Sequence, residues 1–461
     1  MEARIGVRAI TVEKSHYDKL TDKQKQSMFE PENIQEAYKI FSGQCAGICY
    51  MPDNYLSEGI QNEESAIRRS ANNAKSGHYS VYEHAHITFD IVCSKAMAMV
   101  LNSTRLYSTS EKSARYTKMT PKTEIETLKY DYWMDKFIKL IKIYYPNYSD
   151  KDIEKLAMEN ARYLTSVFTP TTMEFTVPYS RAVLIPQWLY DTSEKIYAIY
   201  NNYLSSRGVT NDSIEVYYKE LADECILIAT LIDGCIDEHK SIEERTLKDH
   251  KDIGISFFTN LNNIHEAVYR PTEDNDSSSS IISLFEEPVN IKEHYGDTYI
   301  SSYKASFASV AQIQRHRTCP VQISLPINIT KNDCYIPPII KGTPLENEWK
   351  KDFITLVENG VCPQATLLKV IEKGITSDFV LKCKERLCAR AQLETCHVVR
   401  DQVEKFYLNK DNIYEPRTKR DIEGMVNKFA TDEKVCTRCC FPGYICNEPC
   451  NRVRSNYKRN I

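Results

Sequence analysis

The sequence SEKSARY (residues 110–116) sets a carboxylate, a serine and an arginine, namely Glu111, Ser113 and Arg115, close together. Much later, the sequence QIQRHR (residues 312–317) ends in a cationic triplet. Arginine donates hydrogen bonds in a fork that matches phosphate and carboxylate oxygens. An Arg-His-Arg triplet alone is equally typical of a solvated basic helix end. Together, the two stretches predict a site for a phosphorylated nucleotide and an anionic cofactor, provided that they meet.

Length and composition place the chain among cytoplasmic proteins. Its 461 residues are enough for two or three domains, and a net charge of -4 gives no global reason to expect nucleic acid or a membrane as a partner. The first residues contain no apolar signal core, and no run of about 20 apolar residues follows. The 16 cysteines of this large chain favour free thiols in a reducing compartment.

Secondary-structure patterns recur in the two parts of the chain. Residues 86–92 alternate between polar and apolar and predict a strand, in a part otherwise dominated by helical periodicity. A polar stretch at 270–280 predicts a linker. After it come a predicted strand at 297–303, a helix at 305–317 and a long amphipathic stretch at 378–407. The recurrence indicates an internal duplication, although this order is also common in unrelated α+β proteins.

Several motifs of the chain form a larger pattern. The first part contains His78-x-Ser80-x-x-Glu83-His84, a strand, Arg105, Ser110-Glu111-x-Ser113-Ala114-Arg115-Tyr116, and further arginines at Arg162 and Arg181. The second part contains Gln312-x-x-Arg315-His316-Arg317 and Arg386-x5-Gln392-x-Glu394. This pattern resembles the flavin-dependent thymidylate synthase (ThyX) family. Each part has lost about what the other kept: Val100, Ser103 and Thr104 replace the Gln, Arg and His of the cationic motif.

The resemblance implies an α+β fold of two tandem domains, each with helices around a central, mostly antiparallel sheet. Their predicted bounds are 1–265 and 286–430, with a linker at 266–285 and a cysteine-rich tail at 431–461. It also implies one composite substrate site. Gln312 and Arg386 would form one side of it, and Glu111, Ser113, Ala114, Arg115 and Arg162 the other. Arg386 and Ser113 would be the catalytic residues. The expected flavin contacts are His78, Ser80, Glu83, Arg181, Arg315, His316 and Arg317.

The activity implied by the resemblance is reductive methylation of dUMP to dTMP at C5. Methylenetetrahydrofolate would supply the carbon, FAD the hydride, and NADPH would reduce the flavin. C5 of uracil is a poor nucleophile, so the protein must polarise the ring. The resemblance further implies a homodimer that rebuilds a four-unit assembly. The alternatives are a nucleotide- or flavin-binding protein without turnover, and a C5 methyl- or hydroxymethyltransferase of another pyrimidine nucleotide, because Ala114 stands where the family has glycine.

The cysteine-rich tail lies outside the family pattern. Cys436, Cys439, Cys440, Cys446 and Cys450 fall within fifteen residues, with turn-forming prolines and a glycine between them. Such a group of thiols predicts a tetrahedral metal site, with zinc as the first interpretation and an iron–sulfur cluster as the second. The alternative is a flexible tail that is rich in cysteine by chance.

Overall fold

A computed structural model describes the chain at residues 3–7, 10–11, 22, 34–47, 63–76, 79–84, 86–104, 107–207, 212–236, 270–271, 298–324, 329–408, 416–426, 434–446 and 458–461. The chain divides into two compact units. Unit 1 comprises Met1–Ser113, Phe168–Thr210 and Glu215–Ile255, and unit 2 comprises Ala114–Val167, Asn211–Ile214 and Ser256–Ile461. The predicted domain boundary near residue 265 lies outside the described residues and stays a prediction.

The strands, numbered along the chain, are β1 (Ala3–Val7), β2 (Ile10–Thr11), β3 (His86–Ser94), β4 (Ser108–Glu111), β5 (Pro170–Pro178), β6 (Arg270–Pro271), β7 (Thr298–Ser306), β8 (Val321–Ile323) and β9 (Leu367–Ile375). The helices are α1 (Ile34–Gly47), α2 (Glu63–Ser76), α3 (Lys95–Leu101), α4 (Glu124–Tyr144), α5 (Asp150–Ala161), α6 (Tyr179–Arg207), α7 (Asp212–Ile236), α8 (Phe307–Ile313), α9 (Pro344–Glu358), α10 (Thr376–Arg386), α11 (Leu393–Leu408) and α12 (Pro416–Met425). The mixture of helices and antiparallel sheets confirms the predicted α+β class at this coarse level.

Unit 1 contains a sheet of order β2-β1-β3-β5-β4, in which each pair of neighbouring strands is antiparallel. Its centre is the β3–β5 pair, in register from His86↔Pro178 to Ser94↔Pro170. On β3, Ile87, Phe89 and Ile91 are buried, whereas His86 is exposed. The alternation that predicted a strand at 86–92 therefore follows the buried face of the sheet.

Unit 2 contains a second sheet, of order β6-β7-β9-β8, again with antiparallel neighbours. The β7–β9 pair runs from Thr298↔Ile375 to Ser306↔Leu367. Helices α4 and α9 pack through an aromatic cluster in which the rings of Trp133 and Trp349 lie 4.8 Å apart, edge to face. Edge-to-face packing suits the quadrupole of aromatic rings and adds to the energy of burial.

The same local arrangement occurs in both units. In unit 1, β3 ends at Ser94, whose hydroxyl caps the seven-residue helix α3 and whose N–H donates to Glu224 of α7 at 3.0 Å. In unit 2, β7 ends at Ser306, whose hydroxyl caps the seven-residue helix α8 and whose N–H donates to Glu394 of α11 at 2.7 Å. In both cases the serine hydroxyl donates to the second oxygen of the same carboxylate. This strand, serine cap and short helix form a structural correspondence between the two units.

Two predicted helices have different limits in the structure. The helix predicted at 305–317 ends at Ile313, because Arg315 N and His316 N bond to the carbonyls three residues earlier and turn the chain out of the α-helix. The stretch predicted at 378–407 is two helices, α10 and α11, separated by residues 387–392. We call residues 387–392 the interhelical turn. The carbonyls of Leu387, Arg390 and Ala391 in this turn accept hydrogen bonds from other segments instead of continuing a helix.

The predicted linker and tail are only partly described. Of residues 266–285, the structure describes Arg270–Pro271, which form the short strand β6. In the tail, Val435 and Phe441 are buried in the hydrophobic core that α10, α11 and α12 form in unit 2. Among the described helices, none is both long and apolar enough to cross a membrane.

Candidate active site

Arg386, the last residue of α10, lies at the centre of the candidate site in unit 2. Its Nε donates to Nε2 of His316 at 2.8 Å, and its Nη2 donates to the Gln312 carbonyl at 3.0 Å. Burial lowers the pKa of His316 to about 3, and the positive charges of Arg386 and Lys382 act in the same direction. His316 is therefore a neutral acceptor that fixes the orientation of the Arg386 guanidinium.

The surroundings of Arg386 are electropositive. Burial lowers the pKa of Arg386, the negative charge of Glu385 opposes this shift, and the positive charges of Arg115 and Arg315 add to it. Within the described part of the chain, Arg386 makes no ion pair with a carboxylate. A half-buried cation among other cations is stabilised by a bound anion, so this cluster is suited to a phosphate or a similar group.

Arg115 belongs to the same cluster. It lies in a turn at residues 114–116, directly after the buried Ala114. Its Nε pairs with Glu159 of α5 at 2.7 Å, and its Nη2 donates to the Arg390 carbonyl of the interhelical turn at 2.5 Å. Burial by itself lowers the pKa of Arg115, but the charge of Glu159, the hydrogen bond to Glu159 and the nearby Tyr116 and Tyr163 together outweigh burial, so the net pKa is raised. Arg115 is thus held against the segment that follows Arg386.

Gln392 joins the two predicted sides of the substrate site. Its Oε1 accepts from Nη2 of the buried Arg162 at 2.6 Å and from Nε2 of Gln312, while its Nε2 donates to the hydroxyl of Tyr163. Oε1 of Gln312 is buried and has no hydrogen-bond partner among the described residues. The structure therefore brings together Arg115, Arg162, Gln312 and Arg386 around the interhelical turn, and leaves one acceptor for a ligand.

Glu394 fixes the helix that carries Gln312. Its carboxylate accepts from the N–H and hydroxyl of Ser306 at the start of α8, and from the Tyr163 hydroxyl at 2.7 Å. Burial raises the pKa of Glu394, and the bonds from Ser306 and Tyr163 oppose that shift. One carboxylate thus ties α8, α11 and the short 3-10 helix Arg162–Leu164 together.

The remaining candidates of the first part lie in unit 1. Glu111 forms an ion pair with Lys95 at 2.5 Å and also accepts from Thr171 at 3.3 Å. Ser113 is half-buried after β4. The Glu111 carboxylate is therefore paired within unit 1. The substrate-site roles of Glu111 and Ser113 stay predictions.

The flavin candidates are divided between the units. In unit 1, Glu83 accepts from Ser180 at 2.5 Å, Ser80 is exposed, and Nε of Arg181 is buried without a hydrogen-bond partner among the described residues. In unit 2, Arg315 is half-buried and Arg317 exposed. His316 contacts Arg386 as described above. His78 and Arg105 lie outside the described residues.

The thiols of the tail do not gather into a metal site in the part of the tail that the structure describes. No three of the described His, Cys, Asp or Glu residues are arranged to hold a metal ion. This search includes Cys436, Cys439, Cys440 and Cys446, whereas Cys450 lies outside the described residues. The predicted zinc or iron–sulfur site therefore has no support from the described thiols and stays a prediction.

Sequence reasoning missed three partners of the site. Arg115 contacts the Glu159 carboxylate and the Arg390 carbonyl, and Glu394 contacts the Tyr163 hydroxyl. Each of these contacts joins distant parts of the chain. A backbone carbonyl has no sequence signal, and Glu159 resembles any charged residue of an amphipathic helix. The position of Tyr163, directly after Arg162, was the one available signal.

The depressed pKa of His316 predicts a specific loss of stability in acid. In the unfolded chain the imidazole binds a proton below its ordinary pKa of 6.5, whereas in the folded protein it stays neutral down to about 3. The contribution of neutral His316 to the free energy of unfolding is therefore fully present above pH 6.5. Below that pH it falls by about 1.4 kcal/mol per pH unit. Urea unfolding at pH 7 and pH 4.5 measures this loss in wild type and in His316→Gln, which keeps an acceptor for Arg386. Between the two pH values, the free energy of unfolding should fall by about 2–3 kcal/mol less in His316→Gln than in wild type. Equal losses would contradict the neutral state of His316.

One family model matches the first part of the chain. Residues 37–181 match the family model described as thymidylate synthase complementing protein. This match confirms the resemblance to the flavin-dependent thymidylate synthases for that segment, which is less than half of the chain. The segment contains Arg115 and Arg162, whereas Gln312 and Arg386 lie beyond it. No curated protein matches the chain significantly.

Two solved structures of flavin-dependent thymidylate synthases match the chain at low identity. One is the flavin-dependent thymidylate synthase ThyX from Helicobacter pylori complexed with FAD and dUMP, at 17% identity, covering 44% of this chain and 93% of that chain, with a TM-score of 0.24. The other is Thymidylate Synthase X from the same organism with FAD and dUMP, at 18% identity, covering 42% of this chain and 93% of that chain, with a TM-score of 0.22. TM-scores this low do not establish a common fold.

Proposed function

We propose that this chain, whose residues 37–181 match the thymidylate synthase complementing protein family, is a flavin-dependent thymidylate synthase that methylates dUMP at C5. Methylenetetrahydrofolate and NADPH would be its co-substrates. The proposal includes a tandem duplication in which both halves of the sequence contribute to a single composite site. It also includes a homodimer and a cytoplasmic location, both of which rest on the sequence.

The observation that carries the proposal is the cluster of Arg115, Arg162, Gln312 and Arg386 around one interhelical turn of unit 2. The first two residues come from the part of the chain that the family model matches, and the last two from the part that carries the cationic motif. Sequence resemblance assigned all four to the substrate. Their convergence supports one nucleotide site built from two incomplete halves.

The chemistry of these residues suits a nucleotide monophosphate. Arg386, which has no carboxylate counterion among the described residues, and Arg115 would bind the phosphate through charge-assisted hydrogen bonds. The unused Oε1 of Gln312 would accept a hydrogen bond from the ligand. Guanidinium groups would also stabilise the negative charge on the ring oxygens of the pyrimidine in the enolate-like form that makes C5 nucleophilic.

The residues of the chain also fit an anionic flavin cofactor. In unit 1, the buried Nε of Arg181 is a donor without a hydrogen-bond partner among the described residues. A pyrophosphate oxygen of the cofactor would satisfy this donor. In unit 2, Arg315 and Arg317 are the cations that the resemblance assigns to the flavin. When bound, FAD would supply the hydride, while the protein binds and orients the nucleotide and polarises its ring.

The test has two stages. Purified protein should show the visible absorption spectrum of a bound flavin, and should convert dUMP to dTMP when methylenetetrahydrofolate and NADPH are added. Flavin binding without turnover would favour the alternative of a nucleotide- or flavin-binding protein. A protein that binds neither FAD nor dUMP would refute the proposal.

One observation favours a second candidate substrate. Ala114 is buried directly before Arg115 in the turn at residues 114–116, and a methyl group there narrows the approach of a ligand to the backbone amides. A C5 methyl- or hydroxymethyltransferase acting on another pyrimidine nucleotide is therefore the alternative activity. Assays with other uridine and cytidine monophosphates, alongside dUMP, separate the two.

A further inference from the structure

We propose that the cysteine-rich tail is a clamp that holds the interhelical turn in the form that presents Arg386 and Gln392, with Arg459 and the backbone of Arg438 as its contacts. This inference rests on the proposed function for the identity of the ligand. It assigns a role to the part of the chain that lies outside the family pattern.

The turn is fastened through its backbone carbonyls. Leu387 O accepts from the N–H of Arg438 at 3.0 Å, and Ala391 O accepts from Nη2 of Arg459 at 2.9 Å. Between them, Arg390 O accepts from Arg115. Arg386 directly precedes this turn and Gln392 is its last residue, so the positions of both depend on a turn that two tail residues hold near its two ends.

The tail is itself anchored in unit 2. Val435 and Phe441 share the hydrophobic core with Leu387, the first residue of the turn. Cys436 N donates to the Met425 carbonyl at 2.8 Å, at the end of α12. Burial of such side chains opposes detachment, so residues 434–446 form a fixed support and not a loose extension.

Arg459 is buried, with 4% of its surface exposed. Its Nη1 has no hydrogen-bond partner among the described residues, and its Nη2 donates to the Ala391 carbonyl. The neighbouring Asn460 N–H donates to the Tyr145 hydroxyl at 3.2 Å. Nη2 of Arg459 also lies 3.4 Å from the backbone oxygen of Ile461, but the bond to the Ala391 carbonyl is the shorter one. Losing that bond would leave the buried guanidinium less well satisfied, which couples Arg459 to the geometry of the turn.

The contact made by Arg438 allows a test with a matched pair of variants. Arg438 is the first residue of a 3-10 helix (Arg438–Cys440), and Thr437 before it is extended at φ -67 and ψ 147. Proline is accommodated at such a position, so Arg438→Pro removes the N–H to Leu387 O with little other change. Both Arg438→Pro and Arg438→Ala lose the guanidinium that stacks on Tyr444 at 4.4 Å, but Arg438→Ala keeps the N–H.

The experiment compares Arg438→Pro with Arg438→Ala, and Arg459→Met with Arg459→Lys, in the full chain. Arg420→Met is the control, because Arg420 is exposed on α12. Amide hydrogen exchange of residues 387–393 and the Kd and KM for dUMP are measured. We expect faster amide exchange in Arg438→Pro than in Arg438→Ala, and faster exchange in Arg459→Met than in Arg459→Lys. The affinity for dUMP should be about fivefold to tenfold weaker in the first variant of each pair, and kcat should change less than this affinity.

Equal exchange in Arg438→Pro and Arg438→Ala would overturn the clamp, whatever their activity. Faster exchange with unchanged dUMP affinity would also overturn it, because the turn would then not control the site. If Arg459→Met does not fold, the Arg438 pair still decides. If the wild type binds no dUMP, the proposed function fails, and faster exchange then still supports the clamp on the turn.

Discussion

Replacing Arg386 by methionine is expected to lower kcat/KM for dUMP by about 10²–10³-fold, the size of effect found when one donor to a developing anion is removed. The guanidinium is held by His316 and by the Gln312 carbonyl, and it makes no ion pair with a carboxylate in the described part of the chain. Methionine has a similar length and keeps the packing, but it loses the charge and the donors. Steady-state kinetics with dUMP as the varied substrate measure the effect.

The control for this variant is Arg420→Met. Arg420 is an exposed residue of α12 in the same unit. Its replacement should therefore leave kcat/KM within about twofold of wild type, as for other surface substitutions. A loss in Arg386→Met no larger than in Arg420→Met would contradict the role of Arg386 in the site.

Replacing Lys382 by methionine is expected to destabilise unit 2 by about 3–5 kcal/mol. Lys382 and Glu372 form a fully buried ion pair between α10 and β9. Glu372 also accepts from the hydroxyls of Tyr299 at 2.6 Å and Tyr303 at 2.8 Å. Removing only the lysine leaves a buried carboxylate without its counterion, which is the costly way to break such a pair. Denaturant unfolding of the variant measures the loss.

Two further variants make this result interpretable. In Lys382→Met combined with Glu372→Gln, no charge remains to be buried, so we expect most of the lost stability to return. Lys142→Met breaks the exposed pair of Lys142 with Asp150 and should change the free energy of unfolding by less than about 1 kcal/mol. A double variant as unstable as Lys382→Met would show that packing, and not the unpaired charge, dominates.

Two of the strands could be predicted from the sequence. The alternation at 86–92 predicted β3, because one face of this strand is buried and the pattern has the period of a strand. Residues 297–303 were likewise predicted to form a strand, which appears as β7. The end of α8 and the break between α10 and α11 were not predictable in the same way. The carbonyls of the interhelical turn bond to Arg438, Arg115 and Arg459, which are remote in sequence.

The candidate site was predictable in its residue types but not in its connections. Resemblance singled out Arg115, Arg162, Gln312 and Arg386, whereas the hydrogen bonds that Gln392 makes to two of them depend on tertiary packing. The burial of Lys382 and Glu372 likewise has no local signal, since charged residues on a helix or strand normally face solvent. An ion pair between a helix and a strand can be recognised only once the packing of the two elements is known.

The central claim is that one chain supplies both sides of the nucleotide site, with Arg115 and Arg386 in the same unit. Co-expression of Arg115→Met and Arg386→Met chains with different affinity tags, followed by sequential purification of the mixed assembly, tests it directly. We expect each variant to be impaired alone and the mixed assembly to be no more active in forming dTMP than the two parents. Activity restored in the mixed assembly would show that the two arginines act across separate chains, and would contradict the account.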